Sequence, residues 1–300
     1  MPKLLKSKKR RSTGDRIFDI VNCILLVIIA FTMIYPFYYV LVQSFSEGLS
    51  AMSDKSYLWP KNFTTDNYAA FFKDSKWMTG LLVSVLRTVI GTAIGVVFTC
   101  IVAYALSFKE LIFRKAYMSI LIVAMYFSGG IIPTYMLFKG LNLLDNFWVY
   151  IIPNALNIFF VMVTISFFQE IPRDIFEAAH IDGANEFTVF WRIAMPVSKP
   201  ILATNALFIG VNHWNAWFES AFYIQDKKLK TMAFLMMEVI NKNQVSGSLT
   251  GAAAGRASNT VTSFSLQAAA MVVAVVPLLC VYPFLQRYFV KGMMIGSVKG

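Results

Sequence analysis

The sequence predicts an all-α, polytopic membrane protein with six transmembrane helices. Three observations carry that expectation. Hydrophobic residues make up 57% of the 300, with a mean hydropathy of +0.61, more than a soluble domain can hide. They fall in runs of about 20, long enough to cross a bilayer as helices and neither short nor alternating as barrel strands would be. The charge is also lopsided: of 27 basic residues and a net charge of +11, seven lie in the first 16 positions (Lys3, Lys6, Lys8, Lys9, Arg10, Arg11 and Arg16). Such a head before a long apolar run holds the N-terminus in the cytoplasm. The run is too long for a signal-peptide core and lacks a small-residue cleavage site, so it is expected to be retained.

The basic N-terminus, 1–16, precedes a transmembrane domain over 17–290. Span one covers about Ile17–Val42, with Pro36 as a kink. Residues 43–79 are polar and mixed, with an aromatic cluster at Tyr68, Phe71 and Phe72. Span two covers about Gly80–Phe108, and a short turn with Lys109, Arg114 and Lys115 follows. Span three, about Ala116–Phe138, contains Gly129, Gly130 and Pro133, which should break or kink it. Span four is about Trp148–Phe168, with Pro153 near its start, and span five about Pro200–Phe218. Between them lies a polar loop, 170–198. A long polar loop is expected over 219–265, with a flexible small-residue stretch at Gly247–Gly255. Span six covers Leu266–Val290 and carries Pro277 and Pro283, and a tail follows over 291–300.

Charge tests this topology. The four segments placed inside carry 14 Lys and Arg, or 15 with Lys199 at the edge of the 170–198 loop, and the three outer ones 10; Arg87 and Arg287 fall within spans two and six. The bias agrees with cytoplasmic termini and puts the 170–198 loop in the cytoplasm. Arg87 lies within span two. It either snorkels or pairs with a neighbouring subunit, or else serves as a gate or substrate contact.

Within the loop, Glu177–Pro196 reads as two short amphipathic helices. Ile171, Ile175 and Ala179 share one face of the first, with Phe176 beside them, and Pro172 suits its first turn. Gly183 suits a helix stop, because it enters the left-handed region cheaply. Asp182 is then expected to cap the second helix. Phe187, Phe190, Trp191 and Ala194 form that helix's apolar face, and Pro196 ends it. The faces fit either a lipid surface or a groove on a cytoplasmic partner, and spacing alone does not choose.

Enzymatic chemistry is not expected. No Gly-rich phosphate loop with Gly-Lys-Ser/Thr occurs. The two histidines, His180 and His213, have no metal-ligand spacing. Cys23, Cys100 and Cys280 sit in apolar runs as small hydrophobes. The end of span five, with Asn212, His213, Trp214, Asn215, Trp217 and Phe218, admits two readings. It is an aromatic membrane belt, or a polar, aromatic pore wall suited to sugar hydroxyls and ring faces. Asn154 and Asn157 could share that cavity.

The loop resembles the EAA loop of bacterial ATP-binding-cassette importer permeases. Glu177, Ala178, Ala179, Gly183, Ile193 and Pro196 match its pattern, and Ile181–Ala184 has the form seen in carbohydrate permeases. His213-Trp214-Asn215 with Trp217-Phe218 is similar to the fifth span of permeases related to the smaller maltose-transporter membrane subunit. Gly129–Tyr135 resembles a third-span signature associated with complex saccharides. The resemblance covers roughly Asp15–Gly300, with His180 and Met195 as small departures.

The resemblance implies the type I ABC importer permease fold and a carbohydrate, most simply an oligosaccharide, as substrate. It implies a second permease subunit, a cytoplasmic ATPase dimer and an extracytoplasmic sugar-binding protein as partners, in a bacterial cell membrane and without nucleic acid. ATP and Mg would be used by the partner ATPase, and no cofactor by this chain. Glu177, Ala178, Ala179, Asp182, Gly183, Phe187, Phe190 and Pro196 would couple to the ATPase. Asn154, Asn157, Asn212, Trp214, Asn215 and Phe218 would line the substrate pathway. Two alternatives stand beside this: an ATP-driven permease for another solute such as peptides, and a non-transporting membrane scaffold.

Overall fold

The computed structural model describes residues 13–48, 58–248 and 261–296. Most of the basic head, most of the Gly247–Gly255 stretch and the last four residues lie outside these. Among the described residues the chain is helical, and its one β-bridge joins Ser46 to Phe63. The chain divides into two compact units, 1–68 with 257–272 and 69–256 with 273–300.

In the first unit, helix α1 (Thr13–Ser44) runs through Pro36 and exposes apolar side chains along most of its length. Its C-terminal carbonyls lack intrahelical partners, as at any helix end. Ser44 Oγ donates to the Leu41 carbonyl at 2.7 Å, Ser46 Oγ to that of Val42 at 2.8 Å and the Ser46 N–H to that of Gln43 at 3.2 Å. The buried Asn67 amide completes the set: Nδ2 donates to the carbonyls of Ser44 and, past the helix, Ser46, both at 2.9 Å, and Oδ1 accepts from Ser265 Oγ at 2.7 Å. Asn67 belongs to α2 (Asp66–Lys73), a helix inside the polar, mixed stretch between the first two expected spans.

The second unit is built on α3 (Ser75–Ser107), a helix of 33 residues, about 50 Å long at 1.5 Å per residue. Asp74 caps it by accepting from the Lys76 N–H at 2.8 Å. The third expected span is broken as the Gly-Gly and Pro predict. Helices α4 (Arg114–Tyr126) and α5 (Ile131–Gly140) meet at 115°, with Gly130 at φ +81°. The fourth begins as two 3₁₀ turns, Phe147–Tyr150 and Ile152–Asn154, and straightens into α6 (Ile158–Gln169) after a 45° bend. Next come α7 (Arg173–Ile181), α8 (Glu186–Val189), a π-helical stretch over Phe190–Ala194 and α9 (Met195–Val197). Helix α10 (Lys199–Asn215) ends at a break, and α11 (Phe218–Phe222) follows.

The outer loop expected over 219–265 is substantially helical. Besides α11 it contains α12 (Met232–Ser248), because Met232 and Leu235 bury one face of that apolar start. The last helix, α13 (Ser263–Gly296), continues through Pro277 and Pro283 and past the expected end at Val290. The division between units falls within it. Three stretches are long and apolar enough to cross a bilayer alone: α1, α3 and Phe264–Val281. With each bent pair taken as one span, the described residues give up to six.

Helices α6 and α10 both pack along α3. Two apolar clusters form at opposite ends of α3. Near Ser107, Cys100, Ala103, Tyr104 and Leu106 meet α6, α7 and the 189–194 stretch. Near Ser75, Val83 meets Phe138, Val149, Tyr150, Ile151, Tyr223 and Ile224. Each cluster seats one candidate site.

Candidate functional site

The first site is the 173–197 segment. Pro172 stands just before α7 as its N-cap, with extended backbone, and is not in the first turn. Phe176 and Ala179 are buried with Ile171, whereas Ile175 turns outward. Gly183 closes the helix at φ +82°. The Ala184 N–H donates to the Ala179 carbonyl at 2.9 Å and the Gly183 N–H to that of His180 at 3.0 Å. This is a Schellman ending, and it requires a left-handed residue at Gly183.

Asp182 does not cap the second helix. It is the C-cap of α7, and Asn185 takes the N-cap role, its side chain accepting from the Thr188 N–H at 2.8 Å. Residues 183 and 184 are consumed in leaving the first helix, so the cap moves along the chain. Pro196 does not end the second helix either. It sits in the first turn of α9, where a missing N–H is harmless. The intervening π-stretch also breaks the expected apolar face. Val189, Phe190 and Ala194 are buried, while Phe187 is 72% exposed and meets Trp191 edge to face with ring centroids 6.1 Å apart.

The segment is fastened to the Ser107 end of α3. Tyr104 packs against Phe168, Phe176 and Phe190, and its hydroxyl donates to Glu186 Oε2 at 3.1 Å. Arg173 Nη1 pairs with Glu110 Oε2 at 2.9 Å and lies over the Phe108 ring. The Glu110 carboxyl is held below its ordinary pKa, first by its own backbone N–H and then by Arg173. His180 holds the turn, with Nδ1 3.1 Å from the Ala184 carbonyl oxygen and Nε2 3.4 Å from Glu186 Oε1. Glu177, Ala178, Ile181, Asp182 and Phe187 remain exposed. The surface is thus an apolar pair, Ile181 and Phe187, beside two carboxylates.

The second site is a cavity of about 230 Å³ lined by Arg87, Asn154, Asn157, Ile209, Asn212, His213, Ala216 and Glu219. It assembles where α10 breaks. The break leaves the Ala216 carbonyl without a helical partner, and Arg87 Nη1 donates to it at 2.8 Å. Arg87 Nη2 pairs with Glu219 Oε2 at 2.9 Å, and the guanidinium lies 4.6 Å from the Tyr150 ring centroid. Asn154 Nδ2 donates to the other Glu219 oxygen, Oε1, at 3.0 Å. Asn157 caps α6 through the Phe160 N–H, 3.4 Å from its Oδ1. His213 lies so close to α3 that a Cβ on Gly91 would come 2.5 Å from its Nε2. Only glycine lets that ring in.

Three residues expected in the pathway, Asn154, Asn157 and Asn212, therefore line one cavity. The other three lie elsewhere. Trp214 is buried and its Nε1 donates to the Ala274 carbonyl at 3.0 Å. Asn215 is exposed outside the cavity. Phe218 packs on Phe222, with centroids 4.6 Å apart.

Sequence reasoning did not find Glu219, Tyr104, Glu186 or Tyr150. Arg87 was visible, but its partner read as the first residue of a loop. An acidic residue at the edge of an apolar run that also holds an isolated arginine was the available signal.

The chain beyond α11 is tied down. The backbone N–H groups of Gln225 and Asp226 donate to Asp145 Oδ1 at 2.9 and 2.7 Å. These bonds, Asp226 foremost, hold the Asp145 carboxyl below its ordinary pKa. Tyr150 Oη donates to the Leu229 carbonyl at 2.7 Å, and the Met232 N–H to Ser84 Oγ at 2.9 Å.

Residues 4–295 match the model of the family described as binding-protein-dependent transport system inner membrane component. Protein LplC of Bacillus subtilis (strain 168) is 39% identical over 288 residues, 96% of each chain. The polygalacturonan/rhamnogalacturonan transport system permease protein YtcP of the same organism is 37% identical over 287 residues, 95% of this chain and 99% of that one. Among solved structures, a chain of a bacterial ABC transporter involved in import of the acidic polysaccharide alginate is 29% identical. It superposes with a TM-score of 0.83, covering 93% of this chain and 99% of that one.

Proposed function

The chain belongs to the binding-protein-dependent transport system inner membrane component family, a family of transport permeases and not of enzymes, and on that premise we propose that it moves an oligosaccharide through an ATP-driven importer of the bacterial cell membrane. A cytoplasmic ATPase dimer, using ATP and Mg, grips the exposed edge of α7 and α8 at Glu177, Ala178, Ile181, Asp182 and Phe187. Closure of that dimer moves the segment. Phe176 and Phe190 transmit the displacement to the Ser107 end of α3, and α3 carries it to the cavity beside Arg87. Access then switches from one side of the membrane to the other, because ATP binds the two arrangements unequally. A second permease subunit completes the pathway, and a loaded extracytoplasmic sugar-binding protein favours the outward-open arrangement. Both termini lie in the cytoplasm.

The observation that carries this reading is the division of the 173–194 segment into two faces. Phe176 and Phe190 anchor it on α3, and Ile181 and Phe187 face outward. A lipid-resting loop needs no such rigid mount, whereas a part that transmits force does.

The test is purification of the tagged chain from its own membranes in mild detergent, followed by mass spectrometry. The expected companions are an ATPase, a second permease and a sugar-binding protein. An isolated chain, or one with unrelated partners, would overturn the proposal and favour the scaffold.

A further inference from the structure

The chain between α10 and α11 is a joint. Ala216 is extended, at φ −74° and ψ 123°, so the helical ladder stops there and restarts with α11 at Phe218. Beyond the joint the chain moves as one piece. Ser220 Oγ accepts from the Thr231 N–H at 3.1 Å, and Lys230 Nζ donates to the Ser220 carbonyl at 2.7 Å. A single guanidinium, reaching across from α3, grips both the joint and the helix after it: Arg87 Nη1 holds the Ala216 carbonyl and Nη2 holds Glu219. The other Glu219 oxygen takes the Asn154 amide, which ties in the 3₁₀ turn that opens the fourth span. Three elements are thus fastened at one point, and Arg87, Asn154, Ala216 and Glu219 are also walls of the cavity.

Stability alone does not account for such a pair. The Arg87 and Glu219 side chains are 1% and 17% exposed, unlike those of Lys76–Glu238 and Arg173–Glu110, which stand largely in the open. Two charges taken from water lose about as much as they gain from each other, and a well-packed apolar pair often holds a fold equally well. What the charged pair adds is direction, because its bonds exist for one placement of Ala216 and Glu219 against α3. Its polar neighbours add no such constraint. Thr88 Oγ1 and Thr92 Oγ1 on α3 and Asn205 Oδ1 on α10 are buried without a hydrogen-bond partner.

We infer that Arg87 and Glu219 form the latch of an outer gate. Closed, the pair holds α11 and the chain after it against α3 and the start of the fourth span. The gate opens when the pair parts and α11 swings about Ala216, a short joint of the kind that absorbs hinge motion. Arg87 and Glu219 are therefore positioning residues for the transport cycle, acting through α11 and not on the substrate. The inference rests on the importer function proposed above, in which the loaded binding protein favours the outward-open arrangement, and it names the contact that must give way. A latch that holds the resting arrangement makes ATP hydrolysis wait for the binding protein. Without the latch the open arrangement is populated unprompted.

The experiment measures ATP hydrolysis by the complete importer in liposomes, with and without its loaded binding protein. The wild type is expected to hydrolyse slowly alone and faster with the binding protein. Arg87→Met/Glu219→Met is expected to raise the rate without binding protein about tenfold and to leave little further stimulation. Asn154→Ala keeps the ion pair and removes the third tie at an exposed position, so it is expected to raise the same rate about threefold and to assemble normally. A merely structural role would lower both rates together. Hydrolysis in the double variant that depends on the binding protein as much as in the wild type, or is lower in both conditions, would overturn the latch and leave the importer standing. If the double variant did not assemble, Asn154→Ala would decide, and an unchanged rate there would overturn the latch. If the wild type itself took no notice of the binding protein, the importer function would fall and the latch with it.

Discussion

Arg87 illustrates how a cation is kept inside an apolar helix. A lone charge at that depth is costly. Here the break after Asn215 supplies a helix-end carbonyl, Glu219 supplies the counter-charge and Tyr150 a ring face. Removing one partner of such a pair strands the other, typically at about 3–5 kcal/mol, whereas replacing both with apolar residues is often neutral. Glu219→Ala is therefore expected to lower thermal stability in detergent substantially, and Arg87→Met/Glu219→Met to recover most of the loss. A double variant as unstable as the single one would show that the charges themselves hold the fold. Gly183 gives a second prediction at this scale. A Cβ there meets nothing within 4 Å, but φ is +82°, so conformation alone restricts the position. A left-handed non-glycine residue costs about 1–2 kcal/mol, and Asn tolerates it best. Gly183→Val should impair sugar-stimulated ATPase activity strongly and Gly183→Asn weakly. Equal activity in both would remove the turn from the coupling account.

At the scale of elements, the 173–197 segment has a buried face and an exposed one, which the proposed function assigns to mounting and to docking. Phe190 is 5% exposed and lies in the Tyr104 cluster, whereas Phe187 is 72% exposed. Phe190→Ala should cost stability by about 3–5 kcal/mol, as large core deletions do. Phe187→Ala should leave thermal unfolding within about 0.5 kcal/mol of wild type and still weaken retention of the ATPase during purification. The reverse pattern would mean the two faces are misassigned.

The element scale also shows what could be read in advance. Six apolar runs and the Gly-Gly-Pro break between α4 and α5 were legible because bilayer thickness and backbone chemistry are local constraints. The stop at Gly183 was legible for the same reason. The Asn185 cap, the turn through Pro196 and the split of Phe187 from Phe190 were not. The cap follows from the Schellman ending, which uses up residues 183 and 184, and the turn through Pro196 follows the π-stretch, which shifts helical phase without a sequence mark. Helix α12 was missed because Met232 and Leu235 bury against α3, a contact remote in sequence. In the cavity, asparagine amides inside apolar runs pointed to Asn154, Asn157 and Asn212. The break that brings Glu219 to Arg87, and that leaves Trp214 bonded to the Ala274 carbonyl, depends on packing that no single run displays.

For the whole molecule, the proposed function makes α3 the link between the docking segment at one of its ends and the cavity beside its other half. One of its ends carries the cluster that seats the coupling segment, and its other half carries Arg87 and the cavity. A helix of about 50 Å packed on α6 and α10 along its length can transmit a displacement without unfolding. The measurement that tests this most directly is ATP-driven accumulation of an oligosaccharide in liposomes holding the complete importer, read beside ATP hydrolysis. The account predicts accumulation that requires both ATP and the binding protein, and that is lost in Gly183→Val while the purified complex still contains the ATPase. Oligosaccharide entry that is independent of ATP, or undiminished by Gly183→Val, would contradict it.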